Sequence, residues 1–278
     1  MSYSKKVGIP YAIGAAHSEN DPRRHFDIYF NPDKLYDDKS LPPLICFIHG
    51  GAWRAEDKKD HESIARRLLT ATGCPVAVTN YRLTPAGNDD PQFRHPMHAQ
   101  DLLSFLIFVQ SWTAPPCGYD NSKIVLVGHS CSAHMICSIL LDSKEPSLEP
   151  TLALLRSIKA VIASEGIYDL DKIVANYGEY LDWFIKPTFG PPNSTYYDLN
   201  LSANQWPIRR EARGIQWLLI HSDGDNLVHK SQSKQMEAHL ESARVRVELD
   251  TQSCREEHDE VLHSESYVKV VTELVRKL

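Results

Sequence analysis

Apolar residues along this chain gather in short unbroken runs more often than in alternating ones. Leu44–Ile48 (LICFI), Val76–Thr79 (VAVT), Ile124–Val127 (IVLV), Ile158–Ala163 (IKAVIA), Trp217–Ile220 (WLLI) and Val245–Leu249 (VRVEL) are the clearest. Runs of this kind suit strands that are covered on both faces. Between them, His61–Thr70, Met97–Trp112, Ala133–Leu141, Ser231–Ser242 and Ser264–Leu278 place apolar residues three or four apart, which predicts helices with one buried side. Strand and helix alternating at this length predict an α/β fold, a mostly parallel central sheet with helices on both faces. The N-terminal part, through HFDIYFNP, alternates better and predicts an antiparallel edge. No linker or internal repeat divides the chain, so one domain over residues 1–278 is expected.

One region breaks this rhythm. Leu170–Pro207 carries Tyr177, Tyr180, Trp183, Phe184, Tyr196, Tyr197 and Trp206, with Pro187, Pro191 and Pro192 among them. An excursion of this length in a compact domain is usually functional. Because it follows a strand end, it is read as a lid or pocket wall, about residues 170–207. The competing reading is a surface insertion packed by its own aromatics.

Composition adds mainly exclusions. A formal net charge of −6, with no Lys/Arg cluster, argues against a nucleic-acid partner. No stretch reaches the roughly 18 apolar residues a membrane helix needs, so no membrane association is expected. The first residues include Lys5 and Lys6 but no apolar run follows, so no signal peptide is expected either. The six cysteines are scattered without CxxC spacing and are expected to be reduced thiols in a cytoplasmic protein. Thirteen histidines raise the question of a metal. Only His95 and His98 stand at a close ligand-like spacing, and H-E-x-x-H is absent, so no metal site is expected.

The chemistry is concentrated at strand ends. KIVLV runs directly into Gly128-His129-Ser130, and a helical pattern begins just after. That is the setting of a nucleophile elbow, a tight strand-to-helix turn that presents a serine hydroxyl above the sheet. The usual form is G-x-S-x-G. Here Ser132 replaces the second glycine, which predicts a slightly strained fit between strand and helix. A lone G-x-S is weak, because serine is also a good helix cap.

A serine nucleophile requires a base and an acid that orients it. The loop after WLLI offers Asp223 and Asp225; Asp225 is preferred because it lies farther from the strand end. The polar loop before the last helix offers His258, preferred over His263, which sits inside or at the start of that helix. The fourth part is FIHGGAW. His49-Gly50-Gly51-Ala52-Trp53 follows the first strong strand, where glycine backbones can turn N–H groups toward a ligand. Gly50, Gly51 and Ala52, with the amide of Cys131, are the candidate oxyanion hole.

With these residues in place, the chain resembles the α/β-hydrolase superfamily and, within it, the kynurenine formamidases, especially the fungal form. The likeness is carried by H-G-G-A-W, by N-Y-R-L at Asn80–Leu83, by G-H-S at Gly128–Ser130 and by EGIYDL at Glu165–Leu170. IHSDGDNLV around Asp225 and HDEV at His258 add to it. It spans roughly residues 40–275. The resemblance implies hydrolysis of N-formyl-L-kynurenine to formate and L-kynurenine in tryptophan degradation, through a formyl-enzyme. Ser130 would be nucleophile, His258 base and then acid, and Asp225 the orienting carboxylate. It implies no cofactor or metal, a small aromatic formamide as partner, and admits a homodimer. Trp53, Tyr168, Tyr177, Tyr180 and Trp183 are the candidates to pack the aryl ketone. Two other readings compete: a carboxylesterase or related amidase with the same three residues, and a non-catalytic binding protein of the same fold.

Overall fold

A computed structural model describes residues 2–12, 20–34, 40–192 and 201–278. Its centre is one eight-stranded sheet. The strands are β1 (Ser4–Pro10), β2 (His25–Phe30), β3 (Pro43–Ile48), β4 (Val76–Thr79), β5 (Asp120–His129), β6 (Ile158–Ser164), β7 (Gln216–Ile220) and β8 (Val247–Asp250), in spatial order β1-β2-β4-β3-β5-β6-β7-β8. The β1–β2 and β2–β4 pairs are antiparallel and the remaining pairs are parallel. The antiparallel edge lies where the alternating N-terminal pattern predicts it.

The apolar runs are continuous because the inner strands, β2 to β7, each contribute to two cores. Leu44, Cys46 and Ile48 of β3 and Ile124 and Leu126 of β5 face one of them, under α2 (Met97–Ser111), α3 (Cys131–Leu140) and α7 (Ser231–Ser242). Ile45, Phe47, Val125 and Val127 face the other, under α1 (Glu62–Thr72) and α8 (Glu265–Val275). Six-stranded parallel pairing with both faces covered accounts for the lack of alternation.

Boundaries move where chemistry intervenes. α8 begins at Glu265 because Ser264 caps it, its hydroxyl oxygen accepting the Tyr267 amide. α3 begins at Cys131, two residues before the apolar pattern suggests.

Three short helices fall outside the helical patterns named above: α4 (Leu152–Ser157), α5 (Leu170–Asn176) and α6 (Lys186–Phe189). A π-helical turn, Leu181–Ile185, runs into α6. The excursion is therefore partly helical, and Phe184, Phe189 and Trp206 are buried. Tyr196 and Tyr197 lie outside the described residues.

Candidate active site

β5 is central, with β3 and β6 on either side in parallel register, so its carboxyl end opens between two neighbouring loops. Ser130 stands there with φ 57° and ψ −123°, a conformation a non-glycine residue holds only at a cost of about 1–3 kcal/mol. Its amide donates to Ser164 O at 2.9 Å, and its carbonyl accepts from Ala133 and Ile167. These bonds pin the turn between α3 and the end of β6. The Ser130 side chain makes no cap bond to α3, so it is not an ordinary helix-capping serine.

Gly128 gives room on the strand side, since a Cβ there would meet Ile136 Cδ1 at 2.6 Å and Ser132 Oγ at 2.9 Å and would push those side chains aside. Ser132 does not behave as an overpacked glycine replacement. Its hydroxyl, fully buried, shares its proton between Ile48 O at 2.9 Å and His129 O at 2.8 Å. The predicted strain is absent at this side chain, which ties the elbow to the end of β3.

The HGGAW loop continues from β3 in an unusual backbone. Gly51, Ala52 and Trp53 have φ of 86°, 51° and 60° in succession. Alanine at Gly51 would place its Cβ 2.4 Å from Ala55 O. The Gly51 carbonyl accepts from the amides of Arg54 and Ala55, which closes the turn. Tyr81 holds it from behind, its hydroxyl donating to Gly50 O at 2.6 Å. The Trp53 amide is spent on Cys131 Sγ at 3.3 Å. Burial pushes the Cys131 thiol up to about 12, so the sulfur beside Ser130 stays a neutral acceptor.

After β7 and β8 come the acid and the imidazole. His258 Nδ1 lies 3.0 and 2.9 Å from the two Asp225 carboxylate oxygens. Asp225 Oδ1 also accepts the amides of Leu227 and Val228, both at 2.9 Å. Burial alone would push this carboxyl up; the bonds from His258 and Glu165 and the Val228 amide outweigh it and hold it well below its usual range. The loop bearing His258 is fixed by His129, whose Nε2 donates to His258 O at 2.9 Å. Burial, then His258, pushes His129 down to about 3, which keeps it a neutral donor. Asp223 is exposed and pairs with Lys230 and Arg255. His263 is also exposed, in a 3-10 turn before α8.

Ser130 and His258 line one cavity of about 220 Å³. Gly51, Ala52, Ala55, Glu56 and Asp259 line it too, and its apolar wall is Ile167, Tyr180, Trp183, Phe184, Leu227 and Val228. Of the five aromatics expected at the substrate, Tyr180 and Trp183 are present. Trp53 is fully buried against His134, Phe184 and Phe189. Tyr168 is buried in the core, and Tyr177 stands one layer back, its ring stacked on Tyr180 at 4.9 Å. Gly50 and Cys131 are likewise not among the lining residues, and lie beneath the loop and elbow that are.

His95 and His98 form no metal cluster: His98 Nε2 pairs with Thr84 Oγ1, and burial pushes it down to about 3. All six cysteines are free thiols. Among the described residues, no helix is long and apolar enough to cross a membrane.

Sequence reasoning did not single out Tyr81, His129, Glu56 or Glu165, although all but Glu56 lie inside quoted motifs. A rule that looks for acids just after strands would have flagged Glu165, which directly follows β6.

A parallel sheet with a left-handed serine at the end of its central strand, an imidazole and a carboxylate on the last two loops, and a glycine turn beside them define an α/β-hydrolase. The chain belongs to the BD-FAE family, which matches residues 26–240. It is similar to kynurenine formamidase of Meyerozyma guilliermondii, 26% identical over 83% of each chain. It is also similar to the kynurenine formamidase avaC of Aspergillus versicolor, 26% identical over 72% of this chain and 76% of that one. A probable isoprenylcysteine alpha-carbonyl methylesterase of Oryza sativa subsp. japonica is 26% identical over 83% of this chain and 54% of its own. Among solved structures, a Lactobacillus rhamnosis esterase B shares the fold with a TM-score of 0.74 at 17% identity, covering 99% of this chain and 84% of that chain.

Proposed function

We propose that this hydrolase cleaves the formamide of N-formyl-L-kynurenine, giving formate and L-kynurenine in tryptophan degradation, with Ser130, His258 and Asp225 as its catalytic residues. The observation that carries the reading is the Asp225–His258 contact beside a strained Ser130 in one cavity with Gly51 and Ala52. The named activity of the fungal relatives supports the choice of substrate. No metal or organic cofactor enters the scheme.

In this scheme His258 Nε2 takes the Ser130 hydroxyl proton as Oγ attacks the formyl carbon. Asp225, held ionised, fixes Nδ1–H and stabilises the imidazolium that forms. The carbonyl oxygen becomes an oxyanion held by the amides of Gly51, Ala52 and Cys131. The C–N bond then breaks, and the aniline nitrogen takes the proton from His258. Water, deprotonated by His258, releases formate from the formyl-enzyme and restores Ser130. Tyr180, Trp183 and Phe184 suit an aryl ketone, and about 220 Å³ suits a substrate of roughly one aromatic ring.

The test is formate release from N-formylkynurenine, compared with p-nitrophenyl ester hydrolysis. Higher kcat/KM on the formamide, and a loss of at least about 10⁴-fold in Ser130→Ala, are expected. A strong preference for the esters would replace this reading with a carboxylesterase, which the methylesterase relative favours. Failure of a fluorophosphonate to label Ser130 would reduce the fold to a binding role.

A further inference from the structure

Behind the Asp225–His258 pair lies a second acid that the mechanism above does not use. Glu165 follows β6, fully buried, with φ of 53° and its amide bonded to Ile220 O at 3.0 Å. The backbone is thus held in a left-handed conformation that turns this side chain toward the next strand end. Glu165 Oε1 accepts the Ser222 amide at 3.0 Å. Its other oxygen, Oε2, is buried and receives no N–H or O–H group. His221 Nε2 stands 3.6 Å from it, and that atom already faces Val228 O at 3.0 Å. What Glu165 does meet is another acid: a Glu165 carboxylate oxygen lies within 4.8 Å of one of Asp225, and His221 Nε2 stands 3.6 and 3.5 Å from the two carboxylates.

Two carboxylates can share such a contact only with a proton between them. The surroundings decide which one carries it. Asp225 accepts three N–H donors, from Leu227, Val228 and His258, whereas Glu165 accepts one. The other groups facing Glu165 are His221, Tyr168, Tyr267 and Cys254, all in their neutral forms, and the distant Lys230, whose ammonium is engaged by Asp223. Nothing there offsets a second buried negative charge. Burial, then the adjoining Asp225 carboxylate, pushes the Glu165 carboxyl far above its ordinary range.

We infer that Glu165 is a protonated positioning residue that donates its carboxyl hydrogen to Asp225, holding that carboxylate square to His258 while keeping a single negative charge behind the base. It fills the remaining acceptor site of Asp225 with a neutral donor. This inference rests on Asp225 as the orienting carboxylate, and not on the identity of the substrate.

The test has three arms, none of which needs a formamide. First, the infrared difference between the wild-type protein and Glu165→Gln at neutral pH is expected to show the carbonyl band of a protonated carboxylic acid, shifted in D₂O and lost in the variant. Its absence would overturn the inference. Second, the acid limb of kcat/KM on p-nitrophenyl acetate is expected to shift by less than about 0.3 pH units in E165Q, because one neutral donor replaces another. An ionised Glu165 would instead drop that limb by about one unit when its charge is removed, and this result would also overturn the inference. Third, Glu165→Leu removes the donor, so the acid limb is expected to move upward and kcat to fall roughly tenfold below that of E165Q at similar KM. A purely structural role would lower the active fraction of E165L without moving the limb. If E165L does not fold, the first two arms decide. Ester turnover with no formamide turnover would refute the proposed substrate and leave this inference intact.

Discussion

The floor of the cavity and its wall are built by opposite means. The floor is strand ends and tight turns, locked by buried directional bonds: Ser132 to Ile48 O, Tyr81 to Gly50 O, His129 to His258 O, and the Trp53 amide to Cys131 Sγ. Five of its residues, Ala52, Trp53, Glu56, Ser130 and Glu165, hold positive φ without being glycine. The wall is a short run of rings on and just before a π-helical turn, with Tyr177, Tyr180, Trp183 and Phe184 touching in series at centroid distances of 4.9–5.4 Å. Its contacts with the floor include the Arg54 guanidinium bonded to Trp183 O and the Trp53 ring 5.9 Å from that of Phe184, while the Tyr180 hydroxyl donates to Leu227 O at 3.1 Å within the wall. Bonds with fixed directions position reacting atoms, while ring contacts supply area with little orientation. The floor should therefore govern kcat and the wall KM.

The most severe break is Gly51→Ala. The new Cβ would lie 2.4 Å from Ala55 O, at a residue whose φ is 86°, so the loop must move. Losing an oxyanion donor, the role proposed for Gly51, typically costs at least about a hundredfold in kcat. We expect that loss with KM changed less than about threefold, and a stability cost of about 2 kcal/mol or more, read by urea unfolding. An equal rise in KM would show that floor and wall are not separable.

How much of this was legible in the sequence follows the same division. Strands β3 to β7 could be read because burial on both faces leaves a continuous apolar run, and the positions of Ser130, Asp225 and His258 because each lies in the turn or loop that follows a strand. The start of α3 was harder. Ser132 looks like a break in the apolar pattern, and the carbonyl that satisfies it, Ile48 O, belongs to another strand. Glu165 was quoted only as part of a motif, since the reason for its burial comes from the loop after β7. The wall was legible as an excursion but not residue by residue. Aromatic side chains suit core and pocket equally, so Trp53 and Tyr168 went inward while Phe184 and Leu227 reached the cavity.

The Ser132 position sharpens the floor half of the comparison at intermediate size. Ser132→Ala leaves Ile48 O and His129 O without their shared donor, for about 1 kcal/mol of stability. Ser132→Gly restores the usual elbow letter, yet it adds the backbone freedom of a glycine near the start of α3, for about 2 kcal/mol in all. Both should unfold at lower urea than the wild-type protein, in that order. A glycine variant more stable than the serine would mean that Ser132 is tolerated and not a tie.

The smallest change should fall on the wall. Trp183 is 51% exposed and lines the cavity, and its edge-on contacts to Tyr180 and Phe184 lie at 5.4 and 5.2 Å. The Arg54 bond goes to its carbonyl, which a side-chain truncation leaves in place. Trp183→Ala therefore removes a stacking surface and no directional bond. An aromatic contact contributes about 0.5–1.5 kcal/mol, which corresponds to a two- to tenfold rise in KM for an aryl formamide. Stability should stay within about 0.5 kcal/mol, as for other exposed substitutions, and kcat within about twofold. A fall in kcat at constant KM would place Trp183 with the floor, where it would be acting through the Ala52–Trp53 turn and not on the substrate.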